Sequence, residues 1–177
     1  PADSPCRRPA PAPAHAAADA VLDEAWEVMT RGRRTAEAAL TVKGRQVVVP
    51  RAAGEAARFS FADLCEKPLG ARDFLAIADR FSTIFIDHVP VLGEGMRNEA
   101  KRFILLIDTL YDHNVRLVVS AAAPPPQLYT ARRGNEVFEF ERTASRLIEM
   151  QSHEWLEDWA GRQRGKVVPV EARQAQA

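Results

Sequence analysis

Apolar side chains recur at helical spacing near the start of the chain. Val21, Leu22, Ala25, Trp26 and Met29 form one stripe, and Asp19 can cap a helix that ends near Thr30. Arg31-Gly32-Arg33-Arg34 breaks the pattern. Residues 39–50 then read as two β-rich runs flanking Lys43-Gly44. Glycine takes positive φ without strain, so the pair predicts a tight hairpin, with Pro50 closing its second strand. Arg58-Phe59-Ser60-Phe61 predicts a third short strand. The turn-rich stretch 63–71, with Pro68 and Gly70, leads into a helix over 72–80 that turns Phe74, Leu75 and Ile77 inward.

Residues 83–120 carry the strongest pattern. Thr83-Ile84-Phe85-Ile86 is a continuous apolar strand ending at Asp87. Residues 96–114 form an amphipathic helix with Met96, Ala100, Phe103, Ile104, Ile107, Leu110 and Tyr111 on one stripe, and 115–120 is a second apolar strand. Two strands apolar throughout and joined by a helix predict a βαβ unit, a parallel buried sheet and a right-handed crossover. Beyond Pro124-Pro125-Pro126 the sequence predicts a short helical turn to Tyr129, a loop over 130–135 and a short strand over 137–140. A helix over 141–152 buries Leu147, Ile148 and Met150, and residues 154–159 add two tryptophans to the body. The expected fold class is therefore α/β, a partial parallel sheet around the 83–120 unit, with an N-terminal β-hairpin and flanking helices. Residues 1–17 are rich in Pro and Ala and predict a disordered leader, 161–177 a disordered polar tail, and 18–160 the ordered portion.

Composition narrows this picture. Alanine inflates the hydrophobic fraction, but Ile, Leu, Val and Phe together number 42 of 177 residues, enough for a real core in part of the chain. Basic and acidic residues balance at 24 each, which excludes a chain-wide basic nucleic-acid footprint while permitting local patches. No apolar run approaches the ~18 residues of a membrane-spanning helix, so membrane contact is expected to be peripheral at most. Two cysteines, Cys6 and Cys65, make no disulfide framework and fit a reducing compartment.

Several chemistries can be weighed from the residues. A phosphate loop needs Gly-x-x-x-x-Gly-Lys-Ser/Thr, because backbone amides cradle phosphate and the hydroxyl holds magnesium. The lone Gly165-Lys166 has Ala160 in place of the first glycine and Val167 in place of the hydroxyl, so the chain carries no such loop. The four histidines show no metal-ligand spacing, and no metal site is expected. Asp87 ends a buried strand where P-loop ATPases hold a magnesium-coordinating acid, but His88 follows it where a water-activating Glu is usual. A solvated strand end is the plain alternative. Ser120 ends the neighbouring strand, so Asp87 and Ser120 form a candidate site at the carboxyl edge of the sheet, where open α/β sheets bind ligands. A Ser120–His88–Asp112 triad exists only on paper, without a nucleophile elbow. Arg142 and Arg146 stand four apart on one helix face, a spacing that suits bidentate recognition of phosphate or carboxylate. The plain alternative is a solvated face paired within the helix, Arg142 with Glu139 and Arg146 with Glu149.

Five blocks, in order, resemble the ZapE-type P-loop ATPases: Phe59-Ser-Phe-Ala-Asp-Leu-Cys-Glu-Lys-Pro-Leu-Gly-Ala71, Phe81-Ser-Thr-Ile-Phe-Ile-Asp-His-Val-Pro90, Arg97-Asn-Glu-Ala-Lys-Arg-Phe-Ile-Leu-Leu-Ile-Asp-Thr-Leu-Tyr-Asp112, Arg116-Leu-Val-Val-Ser-Ala-Ala121 and Phe140-Glu-Arg-Thr-Ala-Ser-Arg-Leu-Ile-Glu-Met-Gln-Ser152. The resemblance covers about residues 18–159 and matches the C-terminal part of that family. It implies an AAA+-related protein that uses ATP and Mg2+. It also implies protein partners at the bacterial division ring or in mitochondrial protein quality control, possible self-association and no nucleic acid. The location implied is cytoplasmic, at the inner face of the membrane in bacteria, or mitochondrial in a eukaryote. The family's phosphate loop and Asp-Glu strand belong to its N-terminal part, so this chain is expected to hold no cofactor and to hydrolyse no ATP alone. The 83–120 unit resembles a degenerate copy of that Asp-Glu unit. The resemblance further implies nucleotide-sensing roles for Arg142 and Arg146, and partner or subunit contacts for Arg97 and Arg102. The reading from a different class is a non-catalytic α/β protein-interaction module. A small hydrolase built on Ser120 ranks below both.

Overall fold

The computed structural model describes residues 13–166. Helix α1 (Pro13–Thr30) precedes three strands, β1 (Ala36–Val42), β2 (Arg45–Ala53) and β3 (Ala56–Ser60). One turn of π-helix (Ala62–Glu66) and helix α2 (Ala71–Arg80) lead to β4 (Thr83–Val89). Helix α3 (Arg97–Asp112), strand β5 (Arg116–Ala121) and helices α4 (Glu136–Glu149) and α5 (His153–Lys166) complete the described chain. The five strands lie in sequence order across one mixed sheet. β1, β2 and β3 are antiparallel, whereas β3, β4 and β5 run parallel. The expected βαβ unit is thus present as β4–α3–β5, and the stretch from β3 through α2 to β4 is a second one.

Local chemistry explains the joints. Lys43 and Gly44 both take positive φ, 48° and 81°, as a two-residue hairpin of primed type requires. After β3, Ser60 and Asp63 cap each other: the Ser60 N–H donates to Asp63 Oδ2 at 2.9 Å and the Asp63 N–H to Ser60 Oγ at 3.1 Å. Asp73, in the first turn of α2, is fully buried. It accepts from the Gly70 N–H at 2.8 Å and pairs with Arg45, tying the hairpin to α2.

Strand alternation sends side chains to two faces. Ile84 and Ile86 enter the larger core with Phe59, Phe74, Phe103, Leu106 and Phe140, beneath α2, α3 and α4. Phe85, Ala53 and Ala56 enter a smaller core on the opposite face, which α1 covers with Leu22 and Trp26. Trp26 is completely buried, meets Phe85 edge to face at 5.2 Å, and donates its indole N–H to Thr35 Oγ1 at 3.1 Å.

Some expectations are corrected. Residues 137–140, expected as a strand, form the first turn of α4. The short alternation of Val137-Phe138-Glu139-Phe140 gives way to a longer helical stripe of buried Phe140, Ala144 and Leu147. β4 does not stop at Asp87 but runs on to Val89 through an irregularity in its pairing with β5. α1 begins at Pro13, six residues before Asp19, because Pro suits the first turn and the run behind it is rich in Ala. α5 carries residues 161–166, expected as tail, to Lys166. The rest of the expected leader and tail, residues 1–12 and 167–177, lies outside the described residues.

Trp26→Ala is expected to lower stability by about 3–5 kcal/mol through cavity formation. Urea denaturation measures this, and a loss within experimental error of zero would mean that α1 does not hold this face.

Candidate functional site

Asp87 and Ser120 lie near the carboxyl ends of the parallel strands β4 and β5. Arg58 enters this region from the middle of β3, in an otherwise apolar run, with its side chain only 6% exposed. Its Nε donates to Asp87 Oδ2 at 2.6 Å and its Nη2 to Asp87 Oδ1 at 2.8 Å, a two-pronged pair across β3 and β4. Its remaining branch, Nη1, donates to Asp23 Oδ1 on α1 at 2.7 Å. These carboxylates hold the Arg58 guanidinium above its ordinary pKa, against the opposing effect of burial. Asp87 therefore has both oxygens engaged.

Ser120 and Asp87 lie near the carboxyl ends of neighbouring strands, one and two residues short of where β5 and β4 stop, and their partners differ. The Ser120 hydroxyl accepts the backbone N–H of His88 at 2.9 Å. His88 sits at φ 61°, rare for a residue other than glycine, where the β4–β5 ladder shifts register. Its ring Nε2 meets Asp19 Oδ1 of α1 at 2.5 Å. The paper triad does not assemble: the His88 ring faces Asp19, and Asp112 lies at the end of α3, 4.0 Å from Arg146. Beside His88 and Ser120 lies a cleft of about 480 Å³ whose other walls are apolar, among them Ala18, Pro90, Val91 and Ala122.

Arg142 and Arg146 converge as their spacing predicts, on a carboxylate from another element and not on Glu139 or Glu149. Both donate to Asp108 of α3, Arg142 Nη2 at 3.0 Å to Oδ2 and Arg146 Nη1 to Oδ1. The Arg146 guanidinium also lies 4.6 Å from the centre of the Tyr111 ring. Tyr111 donates its hydroxyl to Glu149, which raises the phenol pKa.

Arg97 and Arg102 share α3 but not surroundings. Arg102 donates to the carbonyl of Cys65 at 2.9 Å and braces the π-helical turn. Burial pushes the Cys65 thiol far above its usual range, so it is a packing group and not a nucleophile. Arg97 Nε and Lys101 Nζ reach one oxygen of Glu136, at 3.2 and 3.3 Å. Glu136 opens α4 with its side chain 3% exposed, and its own backbone N–H, ahead of Arg97 and Lys101, holds its carboxyl below the ordinary value.

Sequence reasoning did not single out Arg58, Asp23 or Glu136, and read Asp19 only as a helix cap and not as the partner of His88. Arg58 carried a readable signal, a lone charge inside a strand otherwise apolar, which burial obliges to find partners. The others had none, because Asp23 lies 35 residues from Arg58 and Glu136 lies 39 from Arg97.

Comparison with known proteins agrees with the resemblance. A family model described as AFG1-like ATPase matches residues 5–158. The cell division protein ZapE of Escherichia coli (strain K12) is 35% identical, across 81% of this chain and 38% of that protein. Lactation elevated protein 1 homolog B of Danio rerio is 38% identical, across 66% of this chain and 29% of that protein. The chain thus spans about a third of the length of these relatives. No solved structure gives a significant match.

Two measurements probe this geometry. Arg58→Ala leaves Asp87 without its charge partner and is expected to cost about 3–5 kcal/mol of stability, the usual penalty for a broken buried pair. A loss in chemical denaturation no larger than that of an exposed substitution would refute the pairing. Glu136 has a depressed pKa in the folded state, so its contribution is full above the ordinary carboxyl value of 4.5 and is lost as pH falls through its folded value. Glu136→Gln should therefore flatten the acid limb of stability against pH, and an unchanged limb would contradict this assignment.

Proposed function

Because the chain belongs to the AFG1-like ATPase family, we propose that it serves as the C-terminal portion of a longer ATP-hydrolysing protein, coupling nucleotide state to action on protein partners, and that it does not hydrolyse ATP alone. The observation that carries this reading is Asp87. It stands where a magnesium-binding acid is expected, yet both its oxygens are engaged by Arg58. At Asp87 the residues present do not fit magnesium, because the Arg58 guanidinium takes up both carboxylate oxygens.

Within the longer protein, Arg142 and Arg146 are the proposed contacts to nucleotide phosphate. Asp108 aligns both guanidinium groups, and the Arg142 side chain remains 57% exposed. Charge developing on a transferred phosphoryl group is what such arginines stabilise. The role in cell division that the bacterial relative is named for is proposed for this chain as a class of action on protein partners. Among the described residues no helix is long and apolar enough to cross a membrane, and a cytoplasmic location, with peripheral membrane contact at most, is part of the proposal.

A second reading, a non-catalytic interaction module, is favoured by one feature of α4. Phe138 is 74% exposed and Ile148 53% exposed, and Ile148 lines an apolar cleft of about 330 Å³ with Pro126, Tyr129 and Val137.

Phosphate release from ATP tests the first reading. The chain alone is expected to show no turnover beyond that of its Asp87→Asn variant, and turnover that Asp87→Asn abolishes would overturn the assignment. In a longer family protein carrying this portion, Arg146→Ala is expected to lower ATP turnover by orders of magnitude. Unchanged turnover there would remove the phosphate role.

A further inference from the structure

We propose that Arg97 and Arg133, with Lys101 and Arg132 beside them, form a receptor for a phosphoryl group beyond the carboxyl end of β4. The segment after β4 folds back onto residues 128–130: Leu92 bridges to Tyr129, its N–H donates to the Leu128 carbonyl at 2.6 Å, and its carbonyl accepts the Thr130 N–H at 2.9 Å. This fixes the start of the loop that carries Arg132 and Arg133. A cleft of about 170 Å³ opens there, walled by Glu94, Arg97, Tyr129, Ala131 and Arg133.

Charge and anchoring both point to an anion. Two guanidinium groups, Arg97 and Arg133, and one carboxylate, Glu94, line the cleft, with Lys101 beside Arg97 on Glu136 and Arg132 next to Arg133 in the chain. Arg97 and Lys101 share a single Glu136 oxygen and remain 60% and 53% exposed. Arg132 and Arg133 are exposed and form no ion pair among the described residues; the contact of Arg132 with Glu94 runs through its backbone N–H at 3.5 Å.

Glu136 acts as the positioning residue. Its second oxygen is buried and takes no hydrogen bond from another residue. It lies so close to Gly134 that a Cβ there would stand 2.5 Å from it and 3.8 Å from Arg97 Nη2. Gly134, at φ 98°, thus lets the arginine loop close over the carboxylate that holds Arg97. Guanidinium groups present rigid forks of donors that match phosphoryl oxygens. The cleft is smaller than the ~300 Å³ at which small-molecule pockets usually begin, so it suits a compact tetrahedral oxyanion and not a stretch of acidic polypeptide. The inference does not rest on the ATPase reading, since none of these side chains belongs to the Asp87 or Arg146 clusters.

Inorganic phosphate is the probe, titrated into the whole chain while the arginine side-chain N–H signals are followed by NMR. Saturable shifts at Arg97 and Arg133 are expected. Arg133→Gln, an exposed change that breaks no ion pair, should weaken binding about tenfold or more, the share of one charge-assisted contact. Arg72→Gln, on exposed α2 surface, should leave it unchanged. Absence of saturable shifts, or equal affinity in Arg133→Gln and the unaltered chain, overturns the proposal. Titration with ATP, and sedimentation with phosphatidic acid vesicles, identify the source of the group. Whichever binds more tightly than free phosphate, and loses that gain in Arg133→Gln, supplies it.

Discussion

A single buried guanidinium constrains much of this molecule. Removing a cation from water is costly, and Arg58 sits in a strand whose other side chains are nearly all buried. The cost is offset only if each donor-bearing branch finds an acceptor in good geometry. Asp87 on β4 and Asp23 on α1 supply them. That requirement fixes three things at once. β3 and β4 must pair in the register that sets Arg58 opposite Phe85, the acid of β4 must turn toward α1, and α1 must lie across the sheet with Asp23 above the guanidinium. The smaller core of Trp26, Leu22 and Phe85 then fills the space this arrangement leaves.

The same logic recurs in the other charge clusters and bears on function. Asp108 aligns two arginines across α3 and α4, and Glu136 collects Arg97 and Lys101 at the start of α4. In each case a carboxylate from one element collects cations from another, so the clusters stitch α1, α3 and α4 to their neighbours. What distinguishes the centre of the carboxyl edge, around Asp87 and Ser120, is that its polar groups are committed to one another. Asp87, Ser120 and the His88 backbone are all engaged internally.

Much of the architecture was legible in the chain. The hairpin at Lys43-Gly44, the apolar strands at 83 and 116 and the stripe of α3 each obey one period strongly, and each is present. The stretch 137–140 misled because four residues of alternation satisfy a strand template, while the helical stripe that decides the matter emerges only with Ala144 and Leu147 included. At the candidate site, the pairing of Arg142 with Arg146 was legible because four residues separate them. Their acceptor, Asp108, was not, since it lies 34 and 38 positions away along the chain. Arg58 stood in plain view as a charge in an apolar strand, but nothing in one sequence tells which acids will answer it.

The sheet order has a further consequence, in time. Its strands follow one another in sequence, so β1 to β5 can assemble by successive short closures, each with a small entropic cost. α1 is different. It touches β4 and β5, and reaching β5 means closing a loop of most of the domain's length. Its docking is expected to come last in folding, and its release first in local unfolding. In those moments the sheet bares Phe85, Ala56 and Val118, and Arg58 keeps Asp87 while losing Asp23. Amide exchange in α1 faster than in α3 would be the signature of that order of events.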